Sequence, residues 1–247
     1  MTASDSPTSG LGEKIRKLTA PWKVPALAVF TAMVVGAILI AVAGGDPLAA
    51  YAGMFEGSLG SPRAVAETLV WSTPYILTGL SVALAFQGGL FNIGAEGQLA
   101  LGAVAAALVG YGLPGLLGGS VPAIVHVPAT ILAGGVAGAL WAAIPGWLKA
   151  RTGAHEVIST IMLNYVALNI VSFLLNGPMK DPAPDNVIAR TPLIAESASL
   201  SPILSGFRLH WGFPLALIAA ALVAWMLKRT TLGFEIRTVG ANPEAAR

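Results

Sequence analysis

The sequence predicts an all-α, polytopic membrane bundle, and three observations carry that prediction. Aliphatic, aromatic and sulfur-containing residues fill 55% of the 247 positions. Charged residues fill 11%, about half of what a soluble domain carries. The apolar residues are gathered into runs of about eighteen or more, long enough to cross a hydrocarbon core, and not into one face of a water-soluble helix.

The elements follow in order. Residues 1–23 are polar, carry Lys14, Arg16, Lys17 and Lys23, and read as a cytoplasmic N-terminal segment. Val24–Ala43 is a first span. It is longer than the apolar core of a cleavable signal peptide and follows too long a polar lead, so it is expected to remain in place. Five more segments qualify by length and apolarity: Thr68–Phe86, Leu90–Tyr111, Val121–Leu148, Glu156–Asn176 and Phe213–Leu227. Pro128 and Pro145 near the ends of the fourth span predict a shorter core there. The sixth is short, with Trp211 and Trp225 placed to assist its ends at the interfaces. Residues 24–229 thus form the membrane domain, and 230–247 a cytoplasmic tail.

Orientation follows from Lys and Arg, which accumulate on cytoplasmic loops. With the N-terminus inside, the cytoplasmic side holds ten of these cations and the outer side four: Arg63, Lys180, Arg190 and Arg208. The outer loops also hold six acidic residues, Asp46, Glu56, Glu67, Asp181, Asp185 and Glu196. The outer segment 177–211 is too polar to span and contains Pro178, Pro182, Pro184, Pro192 and Pro202. It reads either as a cap that meets an external partner or as a covering loop.

The stretch Gln87–Gln98 interrupts the apolar pattern with Asn92, Glu96, Gln98 and four glycines. An ionisable group at membrane depth costs about 2.5–3.5 kcal/mol on insertion scales, and lipid cannot satisfy exposed backbone groups. The stretch therefore lines a wet pathway or gate within the protein, or forms a cytoplasmic turn in which Glu96 favours the next helix through its dipole. Glu96 is the main candidate for a buried acid. In the fifth span Glu156, Thr160 and Asn164 recur at four-residue spacing beside Ser159, one stripe that must face other helices. Asn164 suits helix–helix hydrogen bonding, worth about 0.6–2 kcal/mol in membranes, better than solute contact. Small residues at Gly102, Ala106 and Gly110 and at Gly134 and Gly138 permit close helix approach.

The chain has no cysteine, which excludes disulfides, Cys-based zinc sites and a thiol nucleophile. His155-Glu156 opens like a zinc-protease motif, but Ser159 stands where the second histidine is needed. No G-x-x-x-x-G-K-[ST] phosphate loop occurs. No catalytic residue, metal site or cofactor is expected, and no nucleic-acid partner.

Three stretches together resemble one family: Phe91–Gln98 (FNIGAEGQ), Gly153–Tyr165 (GAHEVISTIMLNY) and Thr230–Ala246 (TTLGFEIRTVGANPEAA). The chain resembles the inner-membrane permease of nucleoside and simple-sugar ABC importers, a branch near the ribose and branched-chain amino-acid permeases. Gly177–Pro182 (GPMKDP) resembles the nucleoside branch. The resemblance runs from about Val24 to the end. It implies a bacterial inner-membrane subunit with three kinds of protein partner: a separate cytoplasmic ABC ATPase, a second permease subunit (identical or homologous), and an extracytoplasmic solute-binding protein. It also implies that 231–247 is the segment docking on the ATPase, with Thr231, Gly233, Glu235, Arg237, Asn242, Pro243 and Glu244 as coupling residues. Asn242-Pro243-Glu244 independently reads as a helix start, with Asn as cap and Pro in the first turn. Without the resemblance, a basic tail attracted to anionic lipid is the simpler reading. Family members continue into further spans, so a truncated permease is expected.

The expected function is passage of a small polar solute, most readily a nucleoside, driven by ATP hydrolysis on the partner. Asn92, Glu96, Gln98 and Asn164 are the expected pathway or gate residues. The alternatives are an ABC permease for sugars or branched-chain amino acids, a proton-coupled transporter using Glu96, and a scaffold or channel without an energy source.

Overall fold

The computed structural model describes residues 8–183 and 187–242, with side chains from Lys23 onward. Among the described residues there are eight α-helices, one short 3-10 helix, and no strand beyond an isolated bridge between Pro202 and His210. Six of the helices are long and apolar enough to cross a membrane.

The chain divides into two units, Met1–Val65 and Ala66–Arg247. In the first, α1 (Thr8–Val42) covers the first expected span except Ala43, and α2 (Pro47–Leu59) follows after a short turn. The sequence reading left α2 within an outer loop, yet its start is well specified. Asp46 accepts from the backbone N–H groups of Leu48 (2.8 Å) and Ala49 (3.3 Å), and Pro47 occupies the first turn, where its missing N–H costs nothing. The Tyr51 hydroxyl donates to Met33 O at 2.5 Å, tying α2 back to α1.

The second unit contains most of α3 (Pro62–Gln87), then α4 (Ala95–Leu117), α5 (Ala123–Thr152), α6 (Glu156–Asn176), α7 (Gly212–Arg229) and α8 (Thr231–Ala241). Helix α4 is its centre, packed along α5 and against α6. The small residues seen in the sequence are the reason. A Cβ on Gly102 would lie 2.9 Å from Gly134 O, and one on Gly134 would lie 3.1 Å from Gly102 O, so two backbones touch at this crossing.

The expected spans differ from the observed helices mainly at their ends. The third begins at Ala95, not Leu90, because residues 88–94 are non-helical. The fourth is 30 residues long with Pro128 and Pro145 inside it, so the prolines do not shorten it. Each proline removes one backbone hydrogen bond without ending the helix, as neighbouring helices permit in membrane bundles.

The burial pattern is that of a lipid-solvated protein. No more than 17% of any span's most apolar window is buried within the chain. What the bundle hides is small or polar, including Ala167, Ala216, Thr73, His126, Thr130, Thr160 and Asn164. Large apolar side chains such as Leu132, Leu140 and Phe173 face outward. In water that arrangement would forfeit about 25 cal/mol for each Å² of apolar surface left exposed; in hydrocarbon it costs nothing.

The segment between α6 and α7 is pinned down over much of its length. Ala195 N–H donates to Gly110 O at 2.9 Å, and the 3-10 turn Glu196–Ala198 packs on α5. His126, fully buried, bridges the two: one ring nitrogen lies 3.1 Å from Val109 O and the other 2.9 Å from Ser197 Oγ. A carbonyl can only accept, so Nε2 donates to Val109 O, and Nδ1 and the Ser197 hydroxyl share the second hydrogen bond. Arg208 pairs with Glu67 at the start of α3 (3.2 Å), and Arg190 with Asp181 (3.1 Å). These contacts fit either sequence reading, since a loop held in place can cover the bundle or meet a partner.

Candidate functional site

The turn that joins α3 to α4 gathers the polar groups the sequence singled out. Helix α3 stops at Gln87, and Gly89 takes φ +74°, a left-handed conformation that suits glycine. Asn92 Oδ1 then accepts from Gly94 N–H at 2.9 Å, closing a turn just before α4 starts. The same oxygen accepts from Gln98 Nε2 at 3.2 Å, Asn92 Nδ2 donates to Gln98 Oε1 at 3.4 Å, and Ser81 of α3 donates to that oxygen at 3.4 Å. The two amides and the hydroxyl thus knit α3, the turn and α4 together.

Helix α6 completes the arrangement. Asn164 Nδ2 donates to Ile93 O at 2.9 Å, and its Oδ1 accepts from Gly97 N–H at 2.9 Å. Gly97 N–H is one of the amides that a helix start leaves without an intrahelical partner, so α6 supplies a cap that the local sequence of α4 lacks. Thr160, one turn earlier on α6, accepts from Ile93 N–H at 3.4 Å. Glu156, at the start of α6, pairs with Lys149 of α5 at 2.8 Å across the turn at Gly153.

These groups surround a cavity of about 350 Å³. Its polar lining includes Ser81, Asn92, Gln98, Thr160 and the Lys149–Glu156 pair, and its apolar lining includes Leu84, Leu90 and Phe91. Phe91 also stands edge-on to Phe86, with ring centroids 4.7 Å apart. One more wall comes from α8, through Ile236.

Of the expected pathway residues, Asn92 and Gln98 line this cavity and Asn164 braces its wall from behind. Glu96 does not join them. It lies in the first turn of α4, exposed and outside the lining, so the expectation of a buried acid there is corrected. Its position beside the positive end of the helix dipole accounts for an acid at that place. Sequence reasoning missed Lys149 as a partner for Glu156, although the two flank one short turn between spans. It also missed His126 and Ser197, separated by 71 residues with nothing local to connect them. Among the described residues no three His, Asp or Glu side chains gather as metal ligands.

The expected coupling residues fall on and after α8. The side-chain cap of α8 is Thr230: its Oγ accepts from Gly233 N–H at 3.1 Å, and Thr231 is the first helical residue. Asn242 follows that helix in an extended conformation; the helix start expected at Asn242-Pro243-Glu244 falls on Pro243 and Glu244, which lie outside the described residues. Gly233 is buried in the corner against α7, where a Cβ would overlap Met226 O. Glu235 and Arg237 are exposed, the latter with Nε 3.3 Å from Gly233 O. The face of α8 turned inward carries Gly233, Ile236 and Gly240, while Leu232, Phe234, Glu235 and Val239 are exposed.

Residues 64–247 match the family described as the permease component of the branched-chain amino acid transport system. The chain belongs to that permease family. It is 41% identical over 229 residues to the guanosine ABC transporter permease protein NupP of Bacillus subtilis, covering 91% of this chain and 63% of that protein. It is 36% identical over 242 residues to the nucleoside ABC transporter permease protein NupB of Lactococcus lactis, covering 96% and 64%. The glucose ABC transporter permease of Haloferax volcanii is 38% identical over 234 residues, covering 90% and 59%. This permease chain thus spans about three-fifths of the length of the curated relatives it matches. No solved structure matches it. All three sequence stretches that suggested an ABC permease fall inside the matched residues, and two of them, Phe91–Gln98 and Gly153–Tyr165, frame the cavity.

Proposed function

We propose that this chain is part of the membrane subunit of an ATP-driven importer for nucleosides, and that the cavity under α8 belongs to its solute pathway. The observation that carries the reading is the coincidence of the two: 41% identity to a guanosine permease, and a cavity of about 350 Å³ built from the same motifs. That volume falls within the range of small-molecule sites. The lining supports a neutral solute, because its two charged groups, Lys149 and Glu156, lie 2.8 Å apart and offset each other's charge. Amides at Asn92 and Gln98 offer donors and acceptors suited to a ring edge, with Leu84, Leu90 and Phe91 as apolar surface.

The end of the bundle that carries this cavity also carries Lys149, Arg151, Lys228, Arg229 and Arg237. Their accumulation supports a cytoplasmic placement, with the His126–Ser197 end outside. The exposed apolar residues of α8, ringed by Glu235 and Arg237, suit a groove on a cytoplasmic ATPase. A second permease subunit would cover part of the outward-facing apolar surface, and an external binding protein would deliver the solute. Glu96, outside the cavity, gives the proton-coupled alternative no support. Sugar transport is the second reading, favoured by the similarity to the Haloferax glucose permease.

The test is uptake of labelled guanosine by vesicles carrying the full-length protein with its partners. Uptake should require ATP hydrolysis, persist when the proton gradient is collapsed, and be competed by other nucleosides more strongly than by glucose. Uptake that follows the proton gradient and ignores loss of ATP hydrolysis would overturn the mechanism. Glucose as the stronger competitor would favour the second reading.

A further inference from the structure

We propose that Gly240 of α8 and the Gly88-Gly89 turn form a rigid joint, through which any displacement of α8 is carried into the wall of the cavity. The proposal rests on the reading of α8 as the element on which the ATPase acts.

The joint is backbone against backbone. A Cβ on Gly240 would overlap Gln87 O and lie 2.9 Å from Gly89 N, while a Cβ on Gly89 would lie 3.1 Å from Gly240 Cα. No side chain stands between the two segments, so there is no flexible spacer to absorb movement. One turn earlier, Ile236 rests 3.7 Å from where a Gly88 Cβ would be, and the same side chain lines the cavity. A glycine inside a helix costs about 1 kcal/mol relative to alanine, so its presence on the inward face of α8 calls for a packing reason. The contact with residues 87–89 supplies one.

At its other end α8 is held equally close. Thr230 caps the corner, and Gly233 lies against the backbone of Met226 and Leu227, where a side chain would not fit. Helix α8 is therefore tied to the end of α7 and, through Gly240, to the end of α3. Past Gly89 the connection continues without slack, since Asn92 binds Gly94 and Gln98, and Asn164 and Thr160 of α6 bind both backbone groups of Ile93. A push on α8 is thereby delivered to Asn92 and Gln98, the amides that face the cavity.

Because the chain has no cysteine, the joint can be locked with a single engineered disulfide. The full-length permease, assembled with its ATPase and binding protein in proteoliposomes, would carry Gly88→Cys with Ile236→Cys. Both positions line the cavity, so the reduced double variant is the reference and guanosine binding is measured in each form. If the joint moves as one body, uptake per ATP hydrolysed at saturating guanosine stays within about twofold between the oxidised and reduced forms. Loss of uptake on oxidation, with hydrolysis continuing and recovery on reduction, would overturn the proposal, because the joint would then have to open. A second variant, Gly240→Val, wedges the joint apart. It should lower uptake per ATP by about two- to thirtyfold while the complex still assembles and hydrolyses ATP. Unchanged uptake per ATP in that variant would also overturn the proposal, and if it does not assemble, the disulfide arm decides alone. Failure of the underlying reading shows separately, as absence of ATP-driven guanosine uptake by the unmodified complex.

Discussion

Lys149 and Glu156 meet at 2.8 Å at the edge of the cavity, the lysine more exposed than the carboxylate. Removing one partner leaves the other without its counter-charge at the cavity edge, whereas exchanging them keeps the pair. Glu156→Gln is therefore expected to lower stability by up to about 1 kcal/mol, because the partly exposed Lys149 can be hydrated in its place, and to reduce uptake. The swap Lys149→Glu with Glu156→Lys should restore most of both, as read by a melting curve on the purified complex and by the vesicle assay. If the swap behaves like the single variant, the pair contributes through something other than its mutual attraction. Glu96 offers the contrast: exposed and outside the cavity, it should tolerate Glu96→Gln with little change in uptake. Both residues are acids near the start of a predicted span, and only their neighbours in space separate them.

At the scale of elements, the bundle is organised by places where helices touch without side chains between them. The α4–α5 crossing at Gly102 and Gly134 is one, and the i, i+4 run of small residues made it legible in the sequence. Gly102→Val should force these helices apart, giving a lower melting temperature and a larger fraction of protein lost during purification than Gly112→Val, whose Cβ meets open space. Equal behaviour of the two variants would remove the crossing as an organising contact. The cap on α4 was not legible. Nothing near Ala95 announces it, because the residue that satisfies Gly97 N–H is Asn164, 67 positions later on another helix. The stripe Glu156, Thr160, Asn164 did show that α6 turns a polar face inward; which groups that face would meet depended on how α6 lies against α4. Helix α8 was half legible: its Thr230 cap and Gly233 corner lie in the quoted motif, but Thr231-Leu232-Gly233 read as the exit from the sixth span and not as the first turn of a helix.

For the whole molecule, the decisive property is its solvent. A chain whose spans bury so little of their apolar windows is stable only where hydrocarbon covers the rest. Orientation is then a matter of loop charge, and it can be tested directly in a cysteine-free chain. Leu193→Cys, exposed in the segment between α6 and α7, should react with an impermeant maleimide on intact cells. Glu235→Cys, on α8, should react only after the membrane is opened. The opposite pattern would invert the proposed topology and place the cavity on the outer side.

The sequence alone determined membrane residence, the number of spans and the family, because hydropathy is a sum over consecutive residues and a motif is a local string. It also determined where the helical pattern breaks, since Gly88-Gly89 and Asn92 disfavour helix wherever they stand. Only the tertiary structure decided what that break touches. Asn92 and Gln98 became cavity walls, Glu96 an exposed residue of a first helical turn, and Gly240 a contact. Each outcome depends on which backbone passes within about 3 Å of another, and lipid-facing residues outnumber the few that set those approaches.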